Sequence, residues 1–190
     1  MHLSLETFRR VCETVVAESS APCQIVRRLA PHMRSLVQSA DRFLKPAHLR
    51  GDPDHYARNL IFSDDSGVLS LFTLVWAPGQ WTPIHDHGTW GVVGVVEGVL
   101  QEQSFMRVDD RPEQDRDEGI QLSPGGLVLL PPGAVSTFVP QPDHIHETGV
   151  ATDGAPALSM HLYGNELNEF NVYDRNAGTR QRCRVACQRT

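Results

Sequence analysis

The stretch Ala77-Pro78-Gly79-Gln80-Trp81-Thr82-Pro83-Ile84-His85-Asp86-His87-Gly88-Thr89-Trp90-Gly91-Val92 sets two histidines, two residues apart, between a Pro-Gly turn and a Val- and Gly-rich run. In an extended strand residues i and i+2 share a face, so His85 and His87 point one way and Asp86 the other. Two imidazoles on one face can reach a single ion at about 2.0–2.1 Å. A His-x-His pair alone is a weak signal, and an exposed polar pair at a strand end is the plainer explanation.

Outward from this stretch the pattern is β. Short apolar runs at 56–62, 67–76, 90–96, 99–108, 120–122, 127–131, 135–139, 147–150 and 157–163 alternate with turn-forming Ser, Asp, Gly and Pro. Many short strands at regular spacing predict a closed barrel or a sandwich. Residues 109–118 are acidic and polar and predict an exposed loop. Before residue 50 the period changes. Leu3, Leu5, Phe8, Val11, Cys12, Val15 and Val16 recur every three or four positions, which predicts an amphipathic helix over 3–18. Two shorter helices are expected at 23–30 and 31–40, with Pro31 as the break, and all three are expected to cover the outside of the barrel. The tail from Asn165 is polar and shows no clear period.

Composition narrows the function class. The 190 residues, 40% hydrophobic and 21% charged, suit one domain with a real core. A net charge of −6 argues against nucleic acid, which calls for clustered Lys and Arg. No run approaches the roughly 18 apolar residues of a membrane helix, and Met1 to Arg10 lacks the apolar segment of a signal peptide. A cytoplasmic protein without a membrane partner is expected. Cys12, Cys23, Cys183 and Cys187 are read as reduced thiols; the last two could meet on a helix but have no His partner. His2, His32, His48 and His55 are expected on the surface or in loops.

Gly79, six residues before His85, Gly98, eleven after His87, and the later Gly125, Pro131 and Gly133 resemble the paired motifs of the cupin family. The resemblance implies a mainly β fold: a small cupin barrel (double-stranded β-helix, or jelly roll) with an N-terminal helical segment. One domain over 1–190 is expected, with helices in 1–50, the barrel in 55–165 and a tail in 166–190. The cupin pattern places an acidic ligand a few residues after the second His. Here that position falls at Gly91 or Val92, neither of which can bind metal. A third ligand is then expected from His144 or His146, which share a face if the segment is extended.

The stretch 56–163 further resembles the cysteine dioxygenase family. The matching pieces are Tyr56-Ala57-Arg58-Asn59-Leu60, Trp76, Ile84-His85-Asp86-His87, the turn at Gly98, Ile145-His146 and Ser159-Met160-His161-Leu162-Tyr163. The resemblance implies that His146, rather than His144, completes a site with His85 and His87, holding one iron(II) per chain. Ligand type alone leaves iron, zinc, nickel and copper open. It implies Arg58 as the group that binds a substrate carboxylate, for which a planar, always-charged guanidinium is suited, with Tyr56 beside it. Ser159, His161 and Tyr163 alternate, so they share one strand face, with Met160 and Leu162 on the other. The resemblance implies Tyr163 near the iron, His161 orienting it and Ser159 orienting His161. Members from animals carry a Cys near the second His, cross-linked to the Tyr. The run Gly88-Thr89-Trp90-Gly91-Val92 has none, so no cross-link is expected.

The implied activity is oxidation of a small thiol by O2, with L-cysteine as substrate and cysteine sulfinic acid as product. A sibling enzyme acting on 3-mercaptopropionate is the nearest alternative, and Arg175, Arg180 and Arg182 leave room for it. A cupin that binds metal or ligand without catalysis is the alternative of another class. A zinc hydrolase needs a general base, and Asp86 faces away from the histidines. The oligomeric state is open, with a monomer as the working expectation.

Overall fold

The computed structural model of the chain describes residues 3–64, 67–109, 116–140, 144–165 and 169–184. The first segment forms α1 (Leu5–Glu18), capped by the Ser4 hydroxyl accepting the Thr7 N–H, and α2 (Pro22–Val37). The helices expected at 23–30 and 31–40 are therefore one helix running through Pro31. Ile25, Val26, Leu29, Met33, Leu36 and Val37 make one unbroken buried stripe, while Pro31 lies on the exposed face. A proline costs an interior helix about 3 kcal/mol, and each large buried apolar side chain returns about 1.5–3 kcal/mol. The stripe prevails.

Among the described residues eleven strands follow: β1 (Ala57–Ser63), β2 (Ser70–Trp76), β3 (Ile84–His85), β4 (Gly91–Glu97), β5 (Leu100–Arg107), β6 (Leu122–Leu130), β7 (Val135–Phe138), β8 (Ile145–Gly149), β9 (Ala157–Tyr163), β10 (Glu169–Asp174) and β11 (Thr179–Arg184). They form a five-stranded sheet in the order β1-β2-β9-β4-β7 and a six-stranded sheet in the order β11-β10-β3-β8-β5-β6. Every named pairing is antiparallel. The fold is mainly β, a double-stranded β-helix of the cupin kind with a helical segment at its N-terminus.

Two apolar layers place the site. Phe72, Leu74, Trp76, Val93, Val95 and Leu100 pack with Tyr163 and Phe170 inside the barrel. On the other face of the first sheet, Leu71, Val92, Met160 and Leu162 pack under Phe8, Leu29, Met33 and Leu36 of the helices. The helices thus cover that sheet, and β9 is buried on both faces.

Several local expectations are corrected. The runs at 120–122 and 127–131 belong to the one strand β6, which crosses Pro124-Gly125-Gly126 where the register to β5 shifts between Gln103 and Phe105. A bulge absorbs the proline's missing donor. The tail expected from Asn165 contains the β10–β11 hairpin, and β10 joins the barrel by pairing Val172 with His85. Cys183 lies on strand β11, not on a helix, and Cys187 is outside the described residues. His48 is buried; its ring accepts the Lys45 N–H while its carbonyl accepts Asn59 and Thr73 side chains. The middle of the 109–118 loop is outside the described residues. Among the described residues no helix is long and apolar enough to cross a membrane.

Candidate metal centre

Strand β3 is two residues long and is held between β10 and β8. Across β3 and β8, His85 pairs directly with His146. His87 follows β3, and its ring lies 4.6 Å from that of His85 and 5.0 Å from that of His146, centroid to centroid. All three side chains are buried, and each offers a ligand atom within 4.8 Å of the others. His144 is not part of this group. Strand β8 begins at Ile145, so the alternation that would align His144 with His146 does not extend to it. Its ring instead stacks on Phe138 at 4.8 Å and 4°.

The protonation states fit a cation. Nδ1 of His85 is 2.9 Å from the Pro83 carbonyl, which only accepts, so Nδ1 carries the proton and Nε2 keeps its lone pair. That Nε2 is 3.2 Å from Nε2 of His87, a spacing expected of two nitrogens sharing one ion. Nδ1 of His87 and both nitrogens of His146 are buried without a hydrogen-bond partner. Unpartnered buried nitrogens cost about 1–3 kcal/mol each, and a bound ion would take up those aimed at it. Burial, then the neighbouring imidazoles, lowers the pKa of His85 and His87 well below the ordinary value. Burial also lowers that of His146, despite Glu102 beside it. Neutral imidazole is the form that ligates metal.

Around the three histidines, Tyr56, Arg58, Trp76, Thr82, His161, Tyr163 and Phe170 line one cavity of about 30 Å³. Arg58 comes from β1, with its guanidinium carbon 4.7 Å from the Phe72 ring centroid. Tyr56 stacks on Trp76 at 4.8 Å and 22°. The inner face of β9 supplies a chain of contacts: Ser159 Oγ is 2.8 Å from His161 Nε2, and His161 Nδ1 is 3.1 Å from the Tyr163 hydroxyl. Trp76 Nε1 donates to Ser159 Oγ at 3.0 Å. With Trp76 donating to its oxygen, Ser159 pairs its own hydroxyl proton by donating to His161 Nε2. Burial pushes the His161 pKa down to about 3, so the ring is neutral and its proton sits on Nδ1, facing Tyr163. Tyr163 then accepts from His161, and its own proton is directed at another acceptor.

Four features were not read from the sequence. Phe138 stacks on His87 at 4.3 Å and 22°. Phe170, from the hairpin, lies 5.3 Å from His85. Asp86 accepts from Asn171 Nδ2 and, at 2.7 Å, from the Tyr173 hydroxyl, so it faces away from the cavity but anchors the loop between the ligands. Glu102 lies behind His146, 3.7 Å from its Nδ1 and 3.6 Å from His144 Nε2. Burial alone would raise the Glu102 pKa, but the two imidazoles hold it below the usual carboxylate range. Its position two residues after inward-facing Leu100 was the available signal. Trp90, by contrast, packs in the outer layer under the helices and does not wall the cavity.

The family model for cysteine dioxygenase type I matches residues 4–176. The chain belongs to the cysteine dioxygenase type I family. Within it, cysteine dioxygenase type 1 of Danio rerio is 24% identical over 176 residues, covering 92% of this chain and 81% of that protein. The Rattus norvegicus counterpart is 26% identical over 128 residues, covering 67% of this chain and 60% of that protein, less than two thirds of its length. A Klebsiella pneumoniae protein with a double-stranded β-helix domain is 12% identical with a TM-score of 0.49, covering 70% of this chain and 97% of that one. Membership in the family and the buried three-histidine cluster together fit a metal-dependent dioxygenase.

Proposed function

We propose that this chain is an iron(II)-dependent thiol dioxygenase that adds both atoms of O2 to the sulfur of L-cysteine, giving cysteine sulfinic acid. The observation that carries the reading is the meeting of three buried, neutral histidines with Arg58 and the Ser159–His161–Tyr163 row around one cavity. His85, His87 and His146 hold the metal. Iron(II) supplies, when bound, the redox chemistry toward O2 and a cationic seat for a thiolate, which three neutral ligands leave uncompensated.

The chain's own residues supply recognition and orientation. Arg58 takes the substrate carboxylate with paired donors in a site of low polarity, where such bonds are strong. Tyr56, held flat by Trp76, walls the same side. Tyr163 donates its hydroxyl proton toward the bound substrate, and His161 keeps that hydroxyl turned inward by donating to its oxygen. Ser159, fixed by Trp76, holds His161 in the tautomer that makes this possible. The small cavity favours a small thiol and holds it in one orientation against the metal ligands.

The family alternative, 3-mercaptopropionate, needs its carboxylate bound elsewhere. Arg180, 14% exposed, pairs with Asp117 at 3.1 Å and lines a neighbouring pocket with His87 and His144, exposed Arg182 pairs with Glu169 at 3.2 Å, and neither lines the cavity that holds Arg58. Oxygen consumption by anaerobically iron(II)-loaded protein, with L-cysteine and 3-mercaptopropionate in parallel, tests the reading. Uptake with L-cysteine, abolished by His146→Ala and reduced mainly through KM by Arg58→Gln, is expected. No uptake with either thiol in protein that holds iron would leave a non-catalytic cupin. An elevated KM in Arg175→Gln but not in Arg58→Gln would move the carboxylate site.

A further inference from the structure

Behind the three-histidine cluster lies a second group, of which the proposed chemistry uses only His146: Glu102, His144 and His146 offer ligand-type atoms within 4.8 Å of one another. Leu100, Glu102 and Ser104 share one face of β5, and Ser104 pairs with His146 across to β8. That register brings the Glu102 side chain, 13% exposed, against the back of the His146 ring. A carboxylate so placed needs polar partners. Its two oxygens meet two imidazoles, Oε2 at 3.7 Å from His146 Nδ1 and Oε1 at 3.6 Å from His144 Nε2.

A neutral imidazole has one N–H. If Nε2 of His146 gives its lone pair to an ion, the proton must sit on Nδ1, which is buried and has no hydrogen-bond partner. The acceptor in front of it is Glu102. A shift of several tenths of an ångström in a Glu side chain brings 3.7 Å into hydrogen-bond range. His85 already has the equivalent outer partner in the Pro83 carbonyl. We propose, on the reading that His146 holds the metal, that Glu102 is the positioning residue of this third ligand, accepting from Nδ1–H while His144 holds its other oxygen. A carboxylate there fixes the tautomer and raises the basicity of the ring toward the metal. His144, packed flat on Phe138, limits how far the carboxylate can swing. The competing arrangement, a second cation on Glu102, His144 and His146, would require His146 to give both lone pairs and lose its proton.

Cobalt(II) titration of the metal-free full chain against a chromophoric chelator reads affinity, stoichiometry and ligand-field spectrum together. Wild type is expected to bind one equivalent. His146→Ala should lose about 100-fold or more in affinity. Glu102→Gln, which keeps a neutral acceptor, should lose about 10-fold, and Glu102→Ala up to about 100-fold, with shifted cobalt bands. His144→Gln should weaken binding less than Glu102→Ala. The urea midpoint of metal-free Glu102→Gln should match wild type. If Glu102→Ala binds within twofold of wild type with an unchanged spectrum while His146→Ala loses binding, the site stands and the role of Glu102 falls. Undiminished binding by His146→Ala would overturn both the ligand assignment and this proposal. A second equivalent in wild type, lost in Glu102→Gln and His144→Gln, would make the group an ion site of its own. Weakened cobalt binding that tracks a lowered midpoint of the metal-free variants would reduce Glu102 to a structural residue.

Discussion

Gly91 stands where the cupin pattern puts an acidic ligand, and its neighbour explains the loss. A Cβ there would lie 2.2 Å from Cζ of Phe138, whose ring is stacked on His87. The phenyl ring occupies the space a carboxylate side chain would need, while Val92 faces the helices. Gly91→Ala is therefore expected to destabilise the protein by about 1–3 kcal/mol in urea unfolding, through overpacking. The double variant Gly91→Ala/Phe138→Leu should recover most of it, and an unchanged midpoint in Gly91→Ala would mean the ring yields freely. His161 yields a prediction of another kind. Its pKa of about 3 lies below that of an exposed His, near 6.5, so between those values the unfolded chain binds a proton that the folded chain refuses. Stability is unaffected by this residue above pH 6.5 and falls by about 1.4 kcal/mol per pH unit below it. Between pH 6.5 and 5.0, unfolding of wild type should show a steeper pH slope than His161→Gln, by one proton; parallel slopes would mean the ring is protonated in the fold. The Ser159–His161–Tyr163 row was legible because a period of two needs no tertiary knowledge. Glu102 was not, because one acid among Gln101, Gln103 and Ser104 reads as a solvated strand face.

At the scale of elements, the barrel strands 157–163 and 135–138 were readable from apolar runs bounded by turns, whereas the hairpin at 169–184 was not. In β11 the run Thr179-Arg180-Gln181-Arg182-Cys183-Arg184 is polar on both faces apart from Cys183, which packs against the barrel cluster, so no apolar alternation marks it as a strand. Only the tertiary pairing of β10 with β3 shows its role. That pairing lets Tyr173 and Asn171 reach Asp86. Tyr173→Phe removes one bond to a buried carboxylate and should cost about 1.5–3 kcal/mol. Because Asp86 lies between His85 and His87, the same change should weaken metal binding, read by chelator competition. Loss of stability with unchanged metal affinity would confine the clamp to folding. The other misread element, α2, makes the opposite prediction. Pro31 removes a helix hydrogen bond at an exposed position, so Pro31→Ala should raise stability by about 2 kcal/mol after the unfolded chain's gain in freedom is deducted. A lowered midpoint would show that the ring contributes packing that the helix pattern hides.

Across the whole molecule, the three histidines tie together segments that the chain order keeps far apart. His85 and His87 flank the end of a two-residue strand, and His146 arrives 61 residues later on β8. Short β3 has little ladder of its own, with two partners in β10 and one in β8. Its position depends on side chains: the Asp86 clamp on one face and the histidines on the other. Nδ1 of His87 and both nitrogens of His146 are buried without a hydrogen-bond partner. An ion that binds the folded chain and not the unfolded one stabilises it by about 2.7 kcal/mol at one hundred times its Kd. Stripping the protein with a chelator should therefore lower the thermal midpoint by several degrees, and adding back iron(II) anaerobically should restore it. His146→Ala should show little response to either treatment, because His85 and His87 alone bind an ion far more weakly than the two together with His146 from β8. A chelator-insensitive midpoint in wild-type protein confirmed to have held metal would mean that the barrel presents the three rings rigidly without the ion, and that the site's order comes from the Asp86 clamp and the Phe138 and Phe170 rings alone.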